Sequence, residues 1–164
     1  MIVFMFGSQS AEKGVKITYE HVSTLSLPGE DSLLIQKNNQ SHEEIPMLIG
    51  DERRLKQVLM NLVRNAMKFT AKGSINIKVC YRPEPENLLV IHVKDTGTGI
   101  AREDFDKLFT RFGKLTRTAA QNSDGIGLGL TMVKQIVETS GGAVDVQSEG
   151  IGKGSLFRVS MQMA

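Results

Sequence analysis

Cysteine and histidine are scarce in this chain, and their scarcity excludes two common kinds of scaffold. The 164 residues include one cysteine, Cys80, and three histidines. A single cysteine cannot form an internal disulfide. The four side chains also lack the close ligand spacing of a zinc site, which argues against structural zinc. Stability must therefore come from a hydrophobic core, for which an apolar content of 40% is sufficient.

Long apolar runs and an excess of one charge are also absent. No stretch approaches the roughly 20 apolar residues that span a membrane. The apolar start Met1–Phe6 is too short, and it lacks the basic flank of a signal peptide. The net charge is only +2, so composition gives no reason to expect nucleic acid as a partner. We expect a cytoplasmic domain, either by itself or as the cytoplasmic part of a membrane-bound receptor, with no membrane contact of its own.

The order of apolar patterns predicts an α+β fold with several antiparallel strands and about three helices. We expect a short helical lead-in over residues 1–12, followed by a single domain over residues 13–164. A polar stretch over residues 25–44 predicts a long loop. Alternating residues predict strands at Val15–His21, Met47–Ile49, Ser74–Tyr81, Leu88–Lys94, Ala143–Ser148 and Ser155–Gln162.

The segment Asp51–Thr70 predicts a long helix with an unusual polar face. Its apolar residues recur at helical spacing, and Asp51 is the expected N-cap. Asn61, Asn65 and Lys68 lie at positions i, i+4 and i+7, on a different face from the apolar residues. Asparagine disfavours helix interiors, and its carbonyl oxygen beside an ammonium suits a metal and its phosphates. The alternative is an ordinary solvated face.

Glycine-rich turns follow downstream. Asp95–Gly99 comes directly after a strand, so its carboxylate could accept a hydrogen bond from an exocyclic amine, although an ordinary turn is the alternative. Gly125–Leu130 opens a helix, where free backbone N–H groups bind anions, although a hinge is the alternative. Neither cluster has the spacing of a P-loop or of a dinucleotide-binding motif. Gly152–Ser155 by itself indicates a hairpin turn.

In this order the motifs resemble the GHKL ATPase superfamily, which comprises gyrase, the heat-shock chaperone ATPase, histidine kinases and the MutL mismatch-repair proteins. Within it, the chain is most similar to the catalytic ATP-binding domain of sensor histidine kinases, over roughly Lys13–Met161. The segments that carry the resemblance are Asp51–Thr70 (N box), Asp95–Ile100 (first glycine box), Phe109–Lys114 (F box), Gly125–Leu130 (second glycine box) and Ser148–Phe157 (the family's ending).

The resemblance implies a Bergerat-type α/β sandwich, with a mixed, mostly antiparallel sheet and about three helices on one face. It implies ATP and Mg²⁺ as ligands, with residues 113–125 as the ATP lid. Asp95 would accept a hydrogen bond from adenine, and Asn65, supported by Asn61, would bind the metal. The implied catalytic residues are Asn61, Asn65, Lys68 and Lys114. The implied nucleotide-binding residues are Asn65, Lys68, Phe69, Asp95, Gly97, Gly99, Ile100, Gly125, Gly127, Leu128, Gly129, Leu130 and Ser155.

The resemblance further implies a protein-histidine kinase of two-component signalling. Hydrolytic relatives carry a glutamate where this chain has Asn61, and an asparagine cannot act as a general base. We therefore expect slow hydrolysis and transfer of the γ-phosphoryl to a histidine. Competing interpretations are a slow ATPase whose nucleotide state switches partner binding, and a degenerate interaction module without catalysis.

The acceptor must lie elsewhere, because no helical dimerisation hairpin is visible in the sequence. His42–Pro46 resembles the acceptor signature, but its proline comes one residue early and no long periodic helix surrounds it. The expected partners are a dimerisation and phosphoacceptor domain and a response-regulator receiver domain. We expect the isolated chain to be a monomer.

Overall fold

The computed structural model describes residues 6–22, 25, 49–83, 85–110 and 128–164. The helices in this part of the chain are α1 (Gly7–Lys13), α2 (Glu52–Phe69), a short 3₁₀ helix (Arg102–Lys107) and α3 (Gly129–Thr139). The strands are β1 (Val15–His21), β2 (Gly73–Arg82), β3 (Leu88–Asp95), β4 (Ala143–Gln147) and β5 (Ser155–Gln162). The predicted α+β class is confirmed. Of the predicted strand Met47–Ile49, Ile49 lies outside any strand and the other two residues lie outside the described part.

The five strands form one mixed sheet in the order β1-β2-β3-β5-β4. Strands β1 and β2 are parallel, and the other neighbouring pairs are antiparallel. A parallel pair needs a long crossover connection, and α2 lies within the connection from β1 to β2. The expectation of a mixed, mostly antiparallel sheet is therefore correct, and β3 occupies its centre.

One face of this sheet carries the hydrophobic core. Alternate residues of β2 and β3 point into the same cluster as the apolar stripes of α2 and α3, as strand and helix periodicity require. Phe6, at the start of α1, is buried in that cluster as well. The fully or nearly fully buried residues include Val58, Leu62, Val63, Ile75, Ile91, Val93, Val133, Val137 and Val159. The helices thus share one side of the sheet.

The opposite face of the sheet carries a row of polar and charged residues across all five strands, next to a small apolar cluster of Leu25, Cys80 and Val90. In register, one row runs Glu20, Lys78, His92, Arg158 and Asp145. Lys78 Nζ lies 3.1 Å from Glu20 Oε1, and Arg158 pairs with Asp145 at 3.5 Å. Hydrogen bonds from Asn76 and then Lys78 lower the pKa of the Glu20 carboxyl. Such cross-strand pairs stabilise the face of the sheet that points away from the main core.

Helix α2 begins where the sequence predicts. The Asp51 carboxylate accepts hydrogen bonds from the N–H groups of Arg53 and Arg54, at 3.0 and 3.2 Å. These bonds satisfy two of the donors that a helix start leaves unpaired. The cap fixes the register of the helix, and it places Asn61 and Asn65 in the half nearer to its C-terminal end at Phe69.

In the described ranges, no helix is both long and apolar enough to cross a bilayer.

Cys80 offers a first test of the fold, because its side chain is fully buried on β2. Burial raises the pKa of the thiol, since the charged thiolate is poorly solvated there. The thiolate is the reactive form, so native protein should react with iodoacetamide much more slowly than protein in guanidinium chloride at every pH from 7 to 9. Mass spectrometry of labelled protein over time would measure both rates. Equal native and denatured rates would contradict the burial of β2.

Candidate functional site

A small cavity opens between α2, the 3₁₀ helix, the start of α3 and the ends of β3 and β5. Seven of its lining residues are ones that the sequence predicted, and the structure brings these seven together from four separate segments. Its lining residues are Asn65, Ala66, Phe69, Asp95, Thr98, Gly99, Ile100, Leu108, Leu130, Ser155 and Phe157. The cavity is mainly apolar with a few polar groups, which is the usual composition of a small-ligand site.

Asp95 supplies the one carboxylate among these lining residues. It is the last residue of β3 and is only 5% exposed. Its Oδ1 accepts a hydrogen bond from the Gly97 N–H at 2.8 Å, and its Oδ2 accepts one from the Ser155 hydroxyl. Ser155 stands directly opposite Asp95 in the register of β3 and β5. A buried carboxylate held from both sides can accept a further hydrogen bond from a ligand amine without reorienting.

The turn after Asp95 is pressed against its neighbours, which explains its glycines. A β-carbon added at Gly97 would lie 2.3 Å from the Phe69 carbonyl oxygen. At Gly99, where φ is +67°, an added β-carbon would lie 2.0 Å from the Gly150 carbonyl oxygen. The Thr98 N–H also donates to the Phe69 carbonyl at 3.0 Å. Glycine is required because no side chain fits between the turn and these backbones.

The predicted polar stripe of α2 divides into three environments. Asn65 lines the cavity. Asn61 Nδ2 donates to the Gln57 carbonyl at 2.9 Å, while its Oδ1 would lie 3.0 Å from a β-carbon at Gly129. Lys68 is half-buried and holds its ammonium 5.5 Å from the centre of the Phe69 ring, a cation–π distance. Only the first of these three residues therefore reaches the cavity directly.

The start of α3 faces Asn61. Gly129 is the first helical residue, and Leu130 lines the cavity while Leu128 is exposed. Within the described residues no side chain caps this helix, so its first N–H groups can bind an anion. The other predicted residues of the second glycine box, Gly125 and Gly127, lie outside the described part of the chain, as does Lys114.

A metal at this site would be held by amide oxygens. No group of His, Cys, Asp and Glu in the described ranges could hold a metal ion. Mg²⁺ commonly takes one or two protein oxygens and completes its shell with water and substrate phosphates. The carbonyl oxygens of Asn65 and Asn61 fit that requirement, and the second faces the N-terminal end of α3.

Four lining residues were absent from the sequence-based set: Ala66, Thr98, Leu108 and Phe157. Thr98 lies within the predicted glycine turn, so its position was the available signal. Leu108 and Phe157 are apolar residues of a helical turn and a strand, and nothing in their spacing separates a cavity wall from the core.

Comparison with known sequences identifies the family of this chain. Residues 50–164 match the family described as histidine kinase-, DNA gyrase B- and HSP90-like ATPase. The chain is 41% identical over 111 residues to the sensor protein SrrB of Staphylococcus aureus, which covers 68% of this chain but only 18% of that relative. The chain thus spans less than a fifth of the length of such relatives.

Solved structures resemble nearly the whole chain. Full-length ShkA in complex with AMPPNP matches with a TM-score of 0.74 and 27% identity, over 99% of this chain and 28% of that one. The catalytic domain of the histidine kinase ThkA matches with a TM-score of 0.69 and 21% identity, over 98% of this chain and 86% of that one. The second likeness, at its lower identity, supports the fold alone.

The close approach at Gly97 generates a prediction. We expect Gly97→Ala to lower the free energy of unfolding by about 1–3 kcal/mol, because the added methyl group must displace the end of α2. Gly7→Ala is the matched control, since a β-carbon there meets nothing within 4 Å. This control should be neutral or stabilising by up to about 1 kcal/mol. Urea titrations would measure both changes, and equal behaviour of the two variants would contradict the packing of the turn.

Proposed function

Since the chain belongs to the histidine kinase-, DNA gyrase B- and HSP90-like ATPases, as an ATP-binding catalytic domain of the sensor histidine kinase type, we propose that it positions Mg²⁺-ATP for phosphoryl transfer to a histidine. That histidine would lie on a separate helical domain. The observation that carries the proposal is the buried Asp95 carboxylate, fixed by Gly97 and Ser155 in a cavity that Asn65 also lines.

Adenine recognition would use the inner end of the cavity. Asp95 would accept a hydrogen bond from the exocyclic amine, and its fixed orientation means that little has to reorganise on binding. Gly99 and Ile100 form the adjacent wall, and Phe69 offers an aromatic ring beside the base. Ser155 holds the carboxylate from the β5 side.

The phosphates would lie toward α3. There the N–H groups that follow Leu128 and Gly129 point outward from a helix start, and Asn61 faces them. Asn65 and Asn61 would hold Mg²⁺, which would neutralise phosphate charge as the reaction proceeds. We assign Lys68 to the phosphates as well, which requires its ammonium to leave the Phe69 ring.

Three further assignments rest on the resemblance, because the residues lie outside the described ranges. Lys114 would contact phosphate, and the backbone at Gly125 and Gly127 would cradle it. Residues 113–125 would form the ATP lid. We also assign residues 13–164 to one catalytic domain that follows a helical lead-in over residues 1–12, an assignment that α1 at Gly7–Lys13 supports.

The transfer itself needs positioning more than acid–base chemistry. An imidazole nitrogen of the acceptor would attack the γ-phosphorus, forming a P–N bond while the bond to the bridging oxygen breaks and ADP leaves. Asn61 carries an amide, so it cannot deprotonate a water for competing hydrolysis. Alignment of the two reactants and charge stabilisation then account for the rate.

The proposed reaction needs two partner domains, one to provide the acceptor histidine and one to receive the phosphoryl group from it. A helical dimerisation domain would carry the acceptor histidine, and a response-regulator receiver domain would accept the phosphoryl group next. Relatives such as SrrB are several times longer than the matched segment, which leaves room for such domains in a parent protein. We propose that this chain by itself is a monomer.

Phosphoryl transfer in trans tests the proposal. With Mg²⁺ and γ-labelled ATP, the chain should label a histidine on an added dimerisation domain of a related kinase, while releasing little free phosphate. We expect Asp95→Asn to weaken binding of an ATP analogue by about a hundredfold, because an amide N–H₂ would face the adenine amine and leave it unpaired. Calorimetric titration would measure the binding.

Asp145→Asn is the matched control, because Asp145 also pairs with a side chain but lies on the face of the sheet that points away from the main core. It should bind nucleotide as the wild type does. Rapid phosphate release without histidine labelling would favour a nucleotide-switched ATPase. Failure of the wild type to bind nucleotide would overturn the proposed function and leave an interaction module.

The metal assignment predicts a Mg²⁺-specific defect. Asn65→Ala should raise the Kd for an ATP analogue about tenfold with Mg²⁺, and change it little with EDTA, because a metal ligand is lost. Arg64→Ala is the control, since Arg64 neighbours it in sequence but is exposed on another face of α2. If Asn65→Ala weakened binding equally with and without the metal, Asn65 would not be a ligand.

A further inference from the structure

Ser148 lies in the connection from β4 to β5, outside the cavity lining, yet its hydroxyl joins several backbone segments. Its Oγ accepts hydrogen bonds from the Ile100 N–H at 3.1 Å and from the Gly150 N–H at 3.2 Å. The hydroxyl also donates to the Gly154 carbonyl at 2.6 Å. One side chain thus connects the end of the turn after β3 with both ends of the loop before β5.

Backbone hydrogen bonds also join the two segments that Ser148 connects. The Gly152 N–H donates to the Thr98 carbonyl at 2.7 Å, and the Gly154 N–H donates to the Gly97 carbonyl at 3.2 Å. A β-carbon added at Gly154 would lie 2.1 Å from the Asp95 carbonyl oxygen. The loop over residues 148–154 therefore supports the turn over residues 95–100 from behind.

Ser148 adds a side-chain hydrogen bond to this contact, at the N–H of Ile100. Ile100 is buried and forms part of the cavity wall, next to Gly99. The Ser148 hydroxyl satisfies its N–H, and a buried amide that loses its partner is unfavourable. Loss of the hydroxyl would therefore loosen the wall without removing any group that faces the cavity.

We propose that Ser148 is a positioning residue of the nucleotide site, which fixes Ile100 and thereby the base-recognition turn. The part of this inference that concerns nucleotides rests on the proposed function. In this role Ser148 sets how strictly the site distinguishes adenine from guanine, because discrimination depends on a rigid Asp95–Ile100 turn. Guanine presents a carbonyl oxygen where adenine presents its amine, and an immobile carboxylate repels it.

The first arm of the test needs no ligand. Amide hydrogen exchange followed by NMR should show that Ser148→Ala loses roughly tenfold or more of the protection at Ile100, while Ser148→Thr, which keeps the hydroxyl, retains it. Ser140→Ala is the matched control, because Ser140 is also half-buried but bonds the Val137 carbonyl at the far end of α3. Unchanged protection of Ile100 in Ser148→Ala would show that the Ser148 hydroxyl does not hold Ile100 in place.

The second arm measures binding of non-hydrolysable ATP and GTP analogues. Ser148→Ala should weaken ATP-analogue binding about five- to tenfold and narrow the ratio between the two Kd values, with recovery in Ser148→Thr. A loss of thermal stability with an unchanged ratio would show a structural role only, and would overturn the positioning role. If the wild type bound neither nucleotide but Ser148→Ala still lost protection at Ile100, the proposed function would fail. The structural link between Ser148 and Ile100 would stand.

Discussion

Asp95 has to keep a carboxylate almost out of water at the end of the central strand, and much of the architecture meets that requirement. A buried charge is costly unless hydrogen bonds replace its hydration. The Gly97 N–H and the Ser155 hydroxyl supply these bonds, one from the following turn and one from β5. The strand order matters here. If β4 instead of β5 lay beside β3, Ser155 could not stand opposite Asp95 in the register.

The hydrophobic core sets the other side of the site. Leu62 and Ala66 of α2 are buried against the sheet, and this contact fixes the rotation of the helix about its axis. Asn65, one residue from Ala66, is thereby turned toward the edge of the core where the cavity opens. A polar ligand group can be placed accurately on a helix because the apolar stripe beside it leaves no other rotation. The packing of α2 against the sheet therefore also fixes the position of Asn65 in the site.

Local signals predicted most of the elements, and non-local pairing accounts for what they missed. Alternation predicted strands that match all five observed ones, and the Asp51 cap is where the sequence placed it. The parallel β1–β2 pair and the β3-β5-β4 order depend on contacts far apart in sequence, which periodicity does not encode. The same reason explains Ser148, a single serine after a strand. It acquires its role only when the loop folds over the turn.

The two ends of the site favour ligand groups of opposite polarity, and the arrangement of the described residues explains why. One end presents a buried carboxylate, an acceptor that favours a donor-rich base. The other end presents the N-terminal N–H groups of α3, whose dipole favours negative charge, with two asparagine oxygens near the path between the ends. A ligand with an amine at one end and phosphates at the other is attracted in one orientation and repelled in the reverse one. Because backbone and buried groups create most of this polarity, it is present before any ligand arrives, which lowers the reorganisation that binding requires.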